Sequence, residues 1–334
     1  MPDAVAAARA ADPTAFVALT ERYRDELQVH CYRMLGSFTD AEDHVQETLV
    51  RAWRRRMTFA GRSSLRAWLY RIATNACLDT LRRHPERVVP VGVGADPAPS
   101  EIPWLEPYPD RMLDRVTAVQ DQPDVLTVAR ETIELAYLAA IQLLPPNQRA
   151  VLIVRDVLGW SAKDTADLLG TSVASADSAL QRARATMARN RPAPSEQWTP
   201  VTEPGPDERA LLRRYIDAHH RADTSAVVAL LRADVRFTMP PDPARYVGTE
   251  VTRFFETEVF GPGGIGEFRL VATCANRQPA AANYIRRWGE ESFRAVTLDV
   301  LRIDGGRIGE ITTFDAHLFP AFGLPDVWTD ELGG

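Results

Sequence analysis

The chain has 334 residues, a formal net charge of -6, 45% hydrophobic and 25% charged residues. That leaves room for two or three domains with cores of their own, and the balance is that of globular rather than fibrous or disordered protein. No apolar run approaches the ~20 residues of a membrane span, the N-terminus lacks the basic-then-apolar order of a signal peptide, and Cys31, Cys77 and Cys274 match no metal or disulfide spacing. A cytoplasmic protein with buried thiols, without membrane association, metal or cofactor, is expected.

The charge is segregated along the chain. Residues 51–87 carry ten Arg and two acids, whereas residues 96–134 carry nine acids and three Arg. A basic block of this kind suits a polyanion partner, and the acidic block suits a solvated or repelled linker.

In chain order, Asp40 is placed to cap a helix with Val45, Thr48, Leu49, Ala52 and Trp53 on one face and Glu42, Asp43, His44, Glu47 and Arg51 on the other. A second helix follows with Leu65, Trp68, Leu69, Ile72, Ala73 and Ala76 at the same period, leaving Arg66, Asn75, Arg82 and Arg83 polar, and it stops at His84-Pro85. Residues 88–124 are rich in Pro and Gly with no sustained period, which predicts a tether with little structure of its own. Helical periodicity resumes near Val125. Pro146 suits a helix start, Gly159 a helix end, and a short helix over 161–169, a turn at Gly170-Thr171-Ser172 and a helix from Val173 form a helix-turn-helix pattern.

After a second proline-rich linker, "RPAPSEQWTPVTEPGPDE", the texture changes to one amphipathic helix carrying Leu211, Leu212, Tyr215, Ile216 and His219, then to alternating stretches such as "EFRLVAT" and "FRAVTLDVLRI". The "DGG" at 304–306 predicts a tight hairpin, and helices followed by strands predict a separate α+β domain.

Three stretches, "GSFTDAEDHVQETLVRAWRRR", "GRSSLRAWLYRIATNACLDTLRR" and "LPPNQRAVLIVRDVLGWSAKDTADLLGTSVASADSALQRAR", resemble the second and fourth conserved regions of sigma-70 family RNA polymerase sigma factors of the extracytoplasmic function type. Residues 207–330 resemble the SnoaL-like, NTF2-like cone that some of these factors carry, and "WLEPYPD" and "LFPAFGLP" resemble motifs of that subgroup. The fold class implied is multidomain: two all-α DNA-binding helical domains, the second a helix-turn-helix, followed by an α+β NTF2-like cone. The corresponding boundaries are 1–87 for region 2, 88–124 for the acidic linker, 125–191 for region 4, 192–206 for a second linker and 207–330 for the cone.

The resemblance implies a transcription initiation factor whose partners are core RNA polymerase, through its beta-prime clamp and beta subunits, and promoter DNA. The basic helix and the loop before it would melt and hold the -10 element, with Arg62, Ser63, Arg66, Tyr70, Asn75, Arg82 and Arg83 as candidate contacts. Arginines neutralise phosphates and aromatic faces replace lost base stacking. Trp68, on the apolar face, reads as core, and Tyr70, off that face, as the better DNA contact. In the helix-turn-helix, Ser172, Ser175, Asp177, Ser178, Gln181, Arg182 and Arg184 are the candidate -35 contacts. Asp177 and Ala179 depart from the family pattern, which tends to have a basic residue or Asn at the first position and a basic residue at the second. Asp43, Gln46 and Glu47 are candidate polymerase contacts, the alternative being a merely solvated face.

The linker's Trp104, Leu105 and Tyr108 are costly to leave in water and predict an interdomain docking contact with the C-terminal domain. In that domain Tyr246, Arg277, Tyr284, Trp288 and His317 are candidate pocket residues for a small-molecule ligand. They form no acid/base pair at fixed spacing, so regulation of the sigma domains is expected rather than catalysis. The alternative is a ligand-sensing DNA-binding regulator, or a small-molecule enzyme that uses the NTF2-like pocket.

Overall fold

The computed structural model describes residues 12–61, 63–87, 102–117, 133–190, 204–262 and 264–328. The chain divides into two compact units, one formed by residues 1–97 and 112–191 and the other by residues 98–111 with 192–334.

The first unit is all helical. Helix α1 (Pro13–Glu21) is capped by Asp12, and α2 (Arg24–Leu35) ends at Gly36, whose φ of 76° is left-handed. Helix α3 (Phe38–Arg55) is capped by Ser37, which accepts from the Asp40 amide at 3.0 Å; the cap is therefore three residues earlier than expected. Asp40 sits in the first turn and pairs with Arg87. Helix α4 (Leu65–Arg83) is capped by Ser64 and stops at His84 as Pro85 requires. Helices α2, α3 and α4 pack against one another.

Helix α5 (Asp110–Thr117) comes next. The helical period expected from Val125 falls partly outside the described residues, and the next described helix is α6 (Leu135–Gln142). Helix α7 (Pro146–Leu152) begins with proline in its first turn and widens at Ile153–Val157, and the left-handed Gly159 follows. Helix α8 (Ala162–Leu169) is capped by Ser161 and ended by the left-handed Gly170, which turns the chain into α9 (Val173–Asn190). This is the helix-turn-helix read from the sequence.

The second unit opens with α10 (Pro206–His220) and α11 (Thr224–Leu230), continues through β1 (Leu231–Met239), β2 (Asp242–Val247), α12 (Thr249–Phe254), β3 (Glu267–Ala275), β4 (Gln278–Arg286), β5 (Arg294–Asp304) and β6 (Arg307–Asp315), and closes with α13 (Phe319–Phe322). The strands form one sheet in the order β2-β1-β6-β5-β4-β3, antiparallel except for the β1–β6 pair. Helix α10 lies on β3 and β4 and joins Leu211, Leu212 and Tyr215 to a core with Phe255, Phe268, Leu270 and Ile311. This is the α+β domain read from the sequence. Gly305 and Gly306, at φ 58° and 73°, make the β5–β6 turn that the "DGG" signal predicts, since a tight hairpin needs positive φ at both central residues.

Polar groups inside the cone are paired. Tyr215 donates to Asp299 at 2.9 Å and Thr313 donates to its other oxygen at 2.7 Å, while burial holds the Asp299 pKa above its ordinary range. His219, one turn on, lies among the rings of Phe255, Phe260 and Phe268 at 5.9, 5.2 and 5.9 Å, and burial brings its pKa down to about 4.

A depressed folded pKa contributes stability that is present above the unfolded value of 6.5 and is lost as pH falls through 4. Between pH 7 and pH 5 this group should therefore withdraw about 2 kcal/mol from the cone. His219→Phe keeps an aromatic ring in the site and should flatten that pH dependence. Hydrogen exchange of the 206–328 amides at the two pH values checks it: an unchanged dependence in the variant would exclude His219 as the source.

Candidate nucleic-acid interface

Helices α3 and α4 each contribute two arginines to the lining of a groove of ≈ 1150 Å³. Arg51, Arg55, Arg66 and Arg71 line it together with Ser63, Ser64, Asn75, Asp79 and the rings of Phe59 and Trp68. The opposite wall is the Gly159–Ser161 turn with Asp164 and Asp167 of α8. Three of the arginines on α3 and α4 are restrained by acids: Arg51 bonds Glu47 at 2.6 Å and reaches Asp79 at 3.4 Å, and Arg82 pairs with Asp79 at 2.9 Å. Arg66 donates to Glu26 at 2.7 Å. Arg83 bonds the Asp79 carbonyl at 3.2 Å. Ser63, Arg71 and Asn75 are exposed, and Arg62 lies outside the described residues.

The two aromatics of α4 exchange the places expected of them. Tyr70 is 1% exposed, its ring 4.9 Å from His30 and 5.6 Å from Trp160, its hydroxyl donating to Glu26 at 3.3 Å. Burial pushes its pKa well up. Trp68 instead lines the groove, half-buried and 5.3 Å from Phe59. The reason is that α4 is covered on two sides: Leu69, Ile72 and Ala76 are buried, and so are Tyr70, Thr74 and Leu81 on other faces. A single amphipathic stripe therefore misstates which residues face out.

Trp160 and Arg149 carry the contacts that the sequence reading missed. Arg149 on α7 is wholly buried, and among the described residues its hydrogen bonds meet no carboxylate. Its Nη1 donates to the Met34 carbonyl and to Gln142 Oε1, both at 2.6 Å, and its Nη2 to the Gln142 and Leu144 carbonyls at 2.8 and 3.2 Å. Gln142 Nε2 donates in turn to the Arg33 carbonyl at 3.3 Å. Burial draws the Arg149 pKa down to about 9, so it stays charged at neutral pH. A buried arginine is detectable in sequence only as a cation inside the apolar run "RAVLIV".

Ser172, just before α9, and Ser175, Ser178, Gln181, Arg182 and Arg184 on it are exposed, and Asp177 is half-buried. Ser172 accepts from the Ser175 amide at 3.1 Å, which serves as the helix cap. Arg184 is held by Asp156 through bonds of 2.9 and 2.6 Å, whereas Arg182 and Gln181 project from the surface. Asp43, Gln46 and Glu47 are exposed on α3, and His44, expected on the same outer face, turns inward to bond Thr80 at 2.8 Å.

Of the expected tether, residues 102–117 are described, and they are structured. Ile102, Leu105 and Tyr108 are buried, at 0%, 2% and 0% exposure, and Trp104 is half-buried. The β3–β4 turn receives residues 108–110 of this segment. The Asn276 side chain accepts from the Tyr108 amide at 2.7 Å, the Asn276 amide donates to the Tyr108 carbonyl at 3.0 Å, and the Arg277 amide donates to Asp110 Oδ1 at 2.8 Å. Asn276 and Arg277 sit at φ 56° and 62°. Left-handed backbone costs a residue with a Cβ, such as Arg, roughly 1 kcal/mol, and here it aims two successive N–H groups at the captured strand. Arg111 then bonds the carbonyls of Pro320 and Ala321, and His317 lies 3.4 Å from Glu106.

The five expected pocket residues do not converge. Arg277 is buried beside Asp110. Tyr284 is fully buried, bonds the Pro325 carbonyl at 2.9 Å and packs on Phe319 and Trp328. Tyr246 stacks on Phe254, Trp288 is 69% exposed, and His317 faces the captured strand. Their spacing in sequence gave no information about distance across a curved sheet.

The comparisons agree with this arrangement. Residues 19–86 match the family model for sigma-70 region 2 and residues 134–187 that for sigma-70 region 4. The chain is 42% identical over 320 residues to the ECF RNA polymerase sigma factor SigG of Mycobacterium tuberculosis, covering 93% of this chain and 84% of that protein. It is 29% identical over 259 residues to SigJ of the same species, covering 75% and 76%. The crystal structure of Mycobacterium tuberculosis SigJ superposes with a TM-score of 0.59 at 22% identity, covering 92% of this chain and all of that one, a likeness of fold. With a region 2 helical core bearing the arginine groove, a region 4 helix-turn-helix and full-length likeness to SigG, the chain belongs to the extracytoplasmic function group of sigma-70 family RNA polymerase sigma factors.

Proposed function

We propose that this sigma factor, which binds core RNA polymerase and promoter DNA, is regulated by its own C-terminal cone through the linker between regions 2 and 4. The observation that supports this is the seating of residues 108–110 on the β3–β4 turn and of Arg111 on the Pro320 and Ala321 carbonyls, where backbone, side-chain and ion-pair contacts combine with burial of Leu105 and Tyr108. In the family, this linker threads near the polymerase active site and RNA exit path, where its acidic character would mimic RNA. A linker held by the cone is not free to take that route. Being covalently joined, the two surfaces meet at an effective concentration of roughly millimolar, so a modest contact is well occupied.

The finer assignments follow the same reading. Ser63, Arg66, Asn75, Arg82, Arg83 and the groove aromatic Trp68 serve the -10 element, and α9 serves the -35 element through Gln181, Arg182 and the serines of its first turns. Asp43, Gln46 and Glu47 meet the beta-prime clamp. The cone acts as a regulatory module and not as a catalyst.

Removal of residues 207–334 should change promoter-dependent run-off transcription severalfold while core polymerase capture survives. Asp110→Ala should reproduce part of that change, because it strips the Arg277 amide of its acceptor. Unaltered transcription in both would refute control through the linker.

Arg182→Ala should lower the salt slope of holoenzyme binding by about 1 if it contacts phosphate, or relax specificity at one -35 position if it contacts a base. Arg184→Ala should do less, since its guanidinium is already committed to Asp156. Titration of promoter fragments at several salt concentrations reads both, and the reverse ranking would mean that α9 presents another face to DNA.

A further inference from the structure

We infer that Asp79 is a positioning residue for promoter DNA: its carboxylate gathers the guanidinium groups of Arg51 and Arg82 from two helices and holds them in the arrangement that receives the -10 strand. The inference rests on the assignment of Arg82 and its neighbours to the -10 element.

By charge alone the residue is out of place. Residues 59–83 hold five arginines and no acid other than Asp79. Arg71, Asn75, Asp79 and Arg82 follow one another at spacings of four, four and three, which puts them on one ridge of α4, and all but the half-buried Asp79 are exposed. A carboxylate in that ridge repels each phosphate that passes it. Its ion pairs do little for the fold in return. The Asp79 side chain is 45% exposed and that of Arg82 62%, and pairs so open to water add little stability.

What Asp79 does provide is order. Its Oδ2 accepts from Nη1 of Arg51, which reaches over from α3, at 3.4 Å, and its Oδ1 accepts from Nη1 of Arg82 at 2.9 Å. Arg51 is fixed a second time by Glu47, at 2.6 Å through Nε. Asp79 and Arg51 line the groove beside Arg71 and Asn75, and Arg82 continues the ridge into the last turn of α4. A long cation left to itself loses rotamer freedom when it meets a phosphate, and that loss is subtracted from binding. A guanidinium held through one nitrogen has met that loss beforehand and still presents its remaining N–H groups. Among the described residues Arg82 spends only Nη1, on Asp79, which leaves Nε and Nη2 for phosphate oxygens. Arg83 supplies a contrast. It bonds the Asp79 carbonyl at 3.2 Å and the Thr80 hydroxyl at 3.4 Å, contacts that do not depend on the side chain at 79.

Charge and position make opposite predictions for this acid, because simple repulsion means that removing it helps every encounter with DNA. The full-length chain bound to core polymerase is assayed for promoter opening by permanganate reactivity, and for affinity to a duplex without promoter sequence. Asp79→Ala should lower the opening rate severalfold. By adding one net positive charge it should at the same time tighten binding to the non-promoter duplex and steepen its salt slope by up to about 1. Arg82→Ala should also slow opening. In an Arg51→Ala, Arg82→Ala background, Asp79→Ala should cause no further loss, since it acts through those two side chains. Normal opening by Arg82→Ala would remove the -10 assignment of that arginine and the inference with it. Slowed opening in Arg82→Ala together with wild-type or faster opening in Asp79→Ala leaves the assignment standing and overturns the inference. An undiminished loss from Asp79→Ala in the doubly substituted background overturns it as well, since that marks damage to α4 itself.

Discussion

A guanidinium sealed from water must find acceptors, and where no carboxylate is in reach it has to take carbonyl oxygens. The two terminal nitrogens of Arg149 meet that requirement with the open end of α2 and with the turn after α6, and the first unit is organised around it. Bringing α7 to α2 carries α8 and its preceding turn over α4, so that Trp160 lands on Tyr70 and the arginine wall of α4 acquires an acidic one opposite. The burial of Tyr70, the exposure of Trp68 to the groove and the close approach at Gly36 all follow from this one placement.

In the second unit the organising feature is a turn. Two consecutive left-handed residues, neither of them glycine, are held in place because the captured strand supplies an acceptor to each of their amides. Prolines at 103, 107 and 109 leave that segment with few N–H donors, of which the Leu105 amide is met by the Ile102 carbonyl and the Tyr108 amide by the Asn276 side chain. The proline content that reads as absence of structure is thus what suits the segment to be bound.

The cone itself is closed by aromatic rings and by the Tyr215–Asp299–Thr313 chain of hydrogen bonds, with His219 kept neutral among phenylalanines. Such a network is worth most when every member is satisfied, and it fixes the angle at which α10 crosses the sheet. The residues expected to line a pocket are spread between this core, the sheet edge and the surface.

The sequence by itself determined the elements and the family. Helical period, Ser, Pro and Gly punctuation and the "DGG" hairpin are local signals, set by backbone geometry and side-chain rotamers within a few residues, and α4, α8, α9 and the β5–β6 turn stand where those signals put them. The region 2 and region 4 motifs were legible for the same reason. Only the tertiary structure decided which faces are covered. A helix packed on two sides has no single stripe, so Tyr70 and Trp68 could not be told apart by period. A buried arginine looks like a surface one until its acceptors, 115 residues away at Met34, are brought to it. The capture of "WLEPYPD" by Asn276 and Arg277 joins segments 168 residues apart at its first contact, a pairing that depends on sheet register and a strained turn, neither of which leaves a local trace.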